Sequence, residues 1–129
     1  MKRRKNSVLF VVRKKEGKMI KRFLKGLIAY KEIEKRIHGD YELPEIHSEI
    51  LDELKNYGDP TRINYDFCYD VRDLDKRIEE GDYDAVITTG HMDKVDFFGR
   101  INEVNVEELL KRKCSEYKIK FHKIPPWVK

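Results

Sequence analysis

The sequence predicts an α/β domain built on a mostly parallel sheet, and three observations carry that prediction. Two short runs, Val8–Val12 and Ala85–Thr88, are apolar or β-branched throughout, as strands covered on both faces are. Other stretches repeat their apolar residues at three and four positions, the spacing of helices that bury a single stripe. Strand-like and helix-like segments alternate along the chain, which implies parallel pairing through crossover helices.

The elements follow in order. Val8–Val12 is the first strand, and the polar residues Arg13–Gly17 read as the loop after it. Ile20, Phe23, Leu24, Leu27, Ile28, Ile33 and Ile37 then form the stripe of a long helix ending near Gly39. Pro44 suits a first helical position, Ile46, Ile50, Leu51 and Leu54 supply the apolar face behind it, and Gly58 marks the stop. Ile63–Tyr69 alternates large apolar with polar or small residues, which predicts a half-buried strand. Asp70 is placed to cap a helix that turns Leu74 and Ile78 inward and closes at Gly81, with Asp73 and Asp75 in its first turn.

Ala85–Thr88 is a second buried strand, opening into a loop over Thr88–Lys94. Phe97–Val104 reads as a weak strand interrupted by Gly99. Asn105 is expected to cap the last helix, which has Glu107 and Glu108 early and Lys111, Arg112 and Lys113 late, as the helix dipole favours. Tyr117, Ile119 and Phe121 alternate with Lys118, Lys120 and His122 in a final strand, whose lysines suit a sheet edge guarded against stray pairing. This order predicts a small three-layer fold of the Rossmann-like or flavodoxin-like kind. At 129 residues it forms one domain over 1–129, large enough to bury its core without disulfides.

Composition narrows the setting. Charged residues make up 40% of the chain, and with few Gly and Pro that balance resembles hyperthermophile proteins, whose surfaces carry ion-pair networks. The apolar run behind the basic start is five residues long before Arg13 interrupts it, too short for a secretion core or a membrane span. A cytoplasmic protein is expected. Cys68 and Cys114 lie in no C-x-x-C pair and share no zinc spacing with the histidines, so two free thiols are expected and no metal or cofactor.

Charge is sorted along the chain. Residues 1–36 hold 14 Lys/Arg against 3 Asp/Glu, residues 37–110 hold 7 against 20, and residues 111–129 hold 7 against 1. Two cationic ends around an anionic middle point to an anion-binding face, and so to a nucleic acid or nucleotide partner. The same segregation suits a homodimer in which the basic face of one copy meets the acidic face of another.

In open parallel sheets, ligands bind outside the carboxyl ends of the strands. Three loops qualify: Arg13–Gly17, Asp70–Asp73 and Thr88–Lys94. Lys18, Lys21, Arg22 and Lys25 fall on one helical face beside Arg13 and Lys14. A phosphate at that helix start would meet free N–H groups, the positive dipole end and ammonium groups. The alternative is a solvated face paired with acids of the middle segment. Thr88, Thr89, Gly90 and Lys94 form the second candidate ligand loop, since a Thr-Thr-Gly turn after a buried strand suits an anion. His91 is the candidate general acid or base. With Asp70, and with Asp66 and Asp93 nearby, it supports an alternative reading as a metal-dependent phosphodiesterase or nuclease.

Asp84-Ala85-Val86-Ile87-Thr88-Thr89-Gly90 resembles the phosphoribosyl-diphosphate loop of phosphoribosyltransferases, which sets two acids, an apolar pair and Thr-Thr-Gly between a strand and a helix. The resemblance implies phosphate contacts from Thr88, Thr89 and Gly90 and a ribose contact from Asp84. It covers seven residues, and Ala85 stands at its second acidic position. Thr88–Lys94 also looks like the Thr-Gly-Gly-Thr-Lys loop of CRISPR-associated Rossmann domains that sense cyclic oligoadenylate, with His91 where a glycine is expected.

Overall fold

The computed structural model describes residues 6–34 and 45–125, with side chains for 6–26 and 49–125. The chain runs β1 (Ser7–Val11), α1 (Lys14–Glu34), α2 (Glu45–Leu54), a 3-10 turn at Lys55–Tyr57 and β2 (Asn64–Cys68). It continues α3 (Val71–Gly81), β3 (Ala85–Thr88), β4 (His91–Val95), β5 (Ile101–Asn105), α4 (Glu107–Glu116) and β6 (Lys120–Lys123). Expectations placed on Leu27, Ile28, Ile33, Ile37, Gly39, Pro44 and Ile46 lie outside the residues or side chains described.

Four strands form one sheet in the order β2-β1-β3-β6, every neighbouring pair parallel. From β1 the chain moves one way to β2, then crosses back over β1 to β3 and on to β6. Right-handed crossovers in opposite directions put their helices on opposite faces of the sheet. The core shows that division. Val8, Phe10, Val12, Ala85 and Ile87 pack with Ile20 and Phe23 of α1 and Ile50 and Leu54 of α2. Leu9, Val11 and Val86 pack with Leu74 and Ile78 of α3 and Leu110 and Cys114 of α4. Successive residues of β1 thus face different helices, and all five of its residues are buried, which is why the run needs no polar alternation. Each such side chain contributes about 1.5–3 kcal/mol by leaving water.

β4 and β5 form a separate antiparallel hairpin between β3 and α4, with Met92 opposite Val104 and Asp93 opposite Glu103. Met92 is buried among the α3 and α4 side chains. Alternation therefore turns His91, Asp93 and Val95 to the other face, together with their partners Asn105, Glu103 and Ile101. A single parallel bridge joins Asp93 to Asp70.

Several boundaries differ from the sequence reading. The Arg13–Gly17 loop is in fact the start of α1. The Thr88–Lys94 loop shrinks to Thr89 and Gly90, because His91–Val95 pairs with β5. Phe97–Gly99 lies in the hairpin turn, and β5 extends to Asn105. The α4 cap position falls on Val106, while Asn105 Oδ1 accepts the Glu107 N–H one residue further on, at 3.0 Å. Tyr117 ends α4, and the last strand begins at Lys120 after Lys118 takes a left-handed φ of 56°. That strand is a sheet edge, as its lysines predicted. Among the described residues no helix is long and apolar enough to cross a membrane.

Candidate functional site

The carboxyl ends of β1 and β3 lie side by side, Val11 against Thr88, at the point where the winding of the sheet reverses. Glu16 sits there fully buried, although the sequence places it in a run of charges. Its Oε1 accepts three hydrogen bonds: from Arg13 Nε at 2.9 Å, Thr89 Oγ1 at 2.9 Å and the Arg13 backbone N–H at 3.3 Å. The last contact is one half of a capping box, in which an N3 carboxylate reaches back to the residue before the helix.

The next orphan donor, the Lys14 N–H, is directed at Asp93 Oδ2 of the hairpin at 3.4 Å. Glu103 Oε1 lies 3.9 Å from Arg13 Nη1. The hydrogen bond that Arg13 donates to Glu16 and the charges of Glu16, Glu103 and Asp93 raise the Arg13 pKa further, against desolvation acting in the opposite sense. An anion is therefore already present at this helix start, supplied by the protein's own carboxylates.

The Thr88–Gly90 turn faces inward. Thr88 Oγ1 donates to Val11 O at 2.6 Å and accepts the Gly90 N–H at 2.9 Å, while Thr89 serves Glu16. Both threonines are buried, so their hydroxyls are not the exposed groups the sequence suggested. A strand follows them, where the phosphoribosyltransferase resemblance implies a helix. Gly90 adopts a φ of 92°, which disfavours any side chain. The Asp84 carboxylate accepts the Ser7 N–H at 3.0 Å at the opposite end of the strands.

The cations divide into three groups. Arg13 belongs to the buried network. Lys14, Lys18, Lys21, Arg22 and Lys25 are exposed along α1, with Lys15 beside them. Among the described residues none of these six forms an ion pair. Lys21 Nζ instead lies 4.8 Å from the centre of the Phe67 ring and 5.5 Å from that of Tyr69, within cation–π range. Gly17 permits this arrangement, since a Cβ there would run into the Tyr69 ring. Lys94 falls on the Met92 face of the hairpin, away from α1.

Several described acids pair elsewhere. Asp75 meets Lys113 at 3.2 Å, Asp96 meets Arg100 at 3.0 Å, and Glu107 meets Lys123 at 3.4 Å. Asp70 caps α3 by accepting the Arg72 N–H at 2.9 Å and binds the Arg72 guanidinium at 2.7 Å. Those bonds hold its carboxyl below the usual range. Asp66 accepts the Tyr83 hydroxyl at 2.7 Å. His91 Nδ1 stands 3.7 Å from Glu103 Oε1 and is only partly exposed. Among the described residues no group of three His, Cys, Asp or Glu side chains converges as a metal ion would require. Cys68 and Cys114 are free and buried, and burial pushes the Cys114 thiol up to about 11.

Sequence reasoning missed Glu16, the Asp93–Glu103 pair and the aromatic bed under Lys21. The position of Glu16 at the third residue of a helix was the available signal. The other two depend on strand pairing, which the local sequence does not display. Compared with the known protein families, the curated proteins and the solved structures, the chain has no match in any of them.

Proposed function

We propose that this protein binds a phosphate-bearing polyanion, nucleic acid foremost, along the exposed face of α1. One observation carries the reading. The side chains of Lys14, Lys15, Lys18, Lys21, Arg22 and Lys25 crowd one face of a helix with no carboxylate partner among the described residues, while several described acids pair with other cations. Like charges held at this density repel one another, and phosphates relieve that repulsion while releasing their own counterions. The Thr88–Gly90 turn and Glu16 act as positioning groups, fixing the first turn of α1 against the ends of β1 and β3. The finer fold reading, a three-layer Rossmann-like or flavodoxin-like domain, belongs to the same proposal. The strand order β2-β1-β3-β6 supports it, as does the core divided between the two sheet faces.

Fluorescence anisotropy of labelled oligonucleotides at a series of salt concentrations tests the function. Five or six phosphate contacts predict a slope of about −3.5 to −4 in log K against log salt for a single strand. Replacing Lys18, Lys21 and Lys25 together by Glu flattens that slope by about 2 and weakens binding of every sequence alike. Binding that survives the triple replacement with its slope intact refutes the proposal.

A further inference from the structure

The β4–β5 hairpin ends in an apolar tip that stands exposed among the described residues. Phe97 is 96% exposed, Phe98 77%, Ile101 69% and Val95 54%. The tip is nonetheless rigidly built. Asp96 Oδ1 accepts the N–H groups of Phe98 and Arg100, both at 2.9 Å, and its Oδ2 binds Arg100 Nε at 3.0 Å. Gly99 turns the chain with a φ of 79°. The two rings meet edge to face at 5.6 Å, and the Arg100 guanidinium covers Phe98 at 5.3 Å. The Phe97 ring is thus buttressed by its neighbour and otherwise open to solvent. Large apolar side chains presented this way are a contact surface rather than unfinished core, and fixing them in advance lowers the ordering cost of binding.

We infer that the Phe97–Phe98 tip is a base-stacking platform that makes the ligand a single strand, an inference that rests on the polyanion reading of α1. The hairpin is joined to the first turn of that helix through Asp93 to the Lys14 N–H and Glu103 to Arg13. Phe97 lies four residues beyond Asp93, about 13 Å along an extended chain. Lys25 lies eleven residues beyond Lys14, about 16 Å along the helix. Laid end to end these lengths put Phe97 at most roughly 30 Å from Lys25, room for a few nucleotides and near the low end of known single-strand sites. The acids between them, Asp93, Glu103 and Asp96, already have partners. Phosphates would follow the helix, and an unpaired base would stack on Phe97, which a duplex, its bases stacked inside, does not offer.

A second copy of the chain is the less favoured occupant. Two β5 edges pairing antiparallel about their central residue would set Glu103 opposite Glu103, a like-charge contact that destabilises a ladder.

The test compares three labelled probes of equal length, about 15 nucleotides: oligodeoxythymidine, a fully abasic strand with the same phosphates, and a duplex. The unmodified protein is expected to bind the thymidine strand at least tenfold tighter than the abasic strand. F97A combined with F98A should bring the thymidine strand down to the abasic affinity, a loss of about 10- to 100-fold. Both side chains are exposed, so the variant keeps its fold, and circular dichroism verifies this. Salt-sensitive binding of all three probes that ignores the Phe replacements overturns the stacking platform and leaves the polyanion reading standing. No binding of any probe at low salt overturns both. Loss of self-association, or of binding to phosphatidylserine vesicles, in the Phe variant with thymidine binding unchanged assigns the tip to another partner and also overturns the platform.

Discussion

The two ends of the basic stretch in α1 behave in opposite ways. At its start the Arg13 guanidinium, the Thr89 hydroxyl and the Lys14 backbone meet internal acceptors: Arg13 and Thr89 converge on buried Glu16, and the Lys14 N–H is directed at Asp93. From Lys18 to Lys25 the cations stand in water with no acid beside them among the described residues. Both regions look alike in sequence, as runs of Lys and Arg. The difference teaches that a cationic helix start is not by itself a ligand site. Function is better sought where the fold leaves charge unneutralised than where charge is densest.

The sharpest way to break this comparison is Glu16→Ala. It takes from Arg13 the carboxylate its Nε is bonded to, and from the buried Thr89 hydroxyl its Glu16 acceptor. A loss of about 3 kcal/mol is expected in urea-induced unfolding, and an unchanged midpoint would show that the buried network does not hold the helix start. Gly17→Ala comes next. Its methyl group collides with the Tyr69 ring, and displacing a packed aromatic costs about 1–3 kcal/mol. The same change loosens the bed under Lys21, so a shift in near-ultraviolet circular dichroism should accompany it. Replacing Lys18, Lys21 and Lys25 by Glu lies at the other extreme for stability. These side chains pair with no described acid, so thermal unfolding should barely move even though oligonucleotide binding collapses.

A modest loss of stability is expected of Asp70→Ala, which removes the α3 cap, and its pH dependence gives it a sign. Arg72 lowers the folded carboxyl below its unfolded value of about 3.9. The stabilisation is then complete above that unfolded value and fades as pH falls through the folded one. The variant should melt lower than the parent at pH 7, with the gap closing as acid protonates the folded carboxyl. A gap independent of pH would show that the Asp70 charge does not act on α3.

Much of the fold was legible because burial and helix geometry impose their own periods. The wholly apolar Val8–Val12 could only be a covered strand, and Asp70, Leu74 and Ile78 carried the cap and face of α3. β4 was illegible. His91-Met92-Asp93-Lys94-Val95 offers Met92 alone to the core, and the segment is extended because β5 pairs with it. The candidate site was half legible. The exposed cations of α1 could be read from spacing, whereas the inward hydroxyls of Thr88 and Thr89 depend on which carbonyl and carboxylate lie across the sheet. Glu16 went unread for the same reason: a buried carboxylate is intelligible only once its donors are known.

The central strand also sets the order of events during synthesis. β1 pairs on one side with β2 and on the other with β3, and Ser7 bonds to Asp84 across 77 positions of sequence. Its four apolar residues leave the ribosome well before the strand that covers their second edge. Until Thr88 emerges, that run has no parallel partner on its second edge. Contacts so distant in sequence slow folding, and an exposed apolar strand in the interval invites stray association. The nascent chain is accordingly the form most in need of a chaperone, and the lysines that crowd both sides of Val8–Val12 are suited to keeping it in solution through that wait.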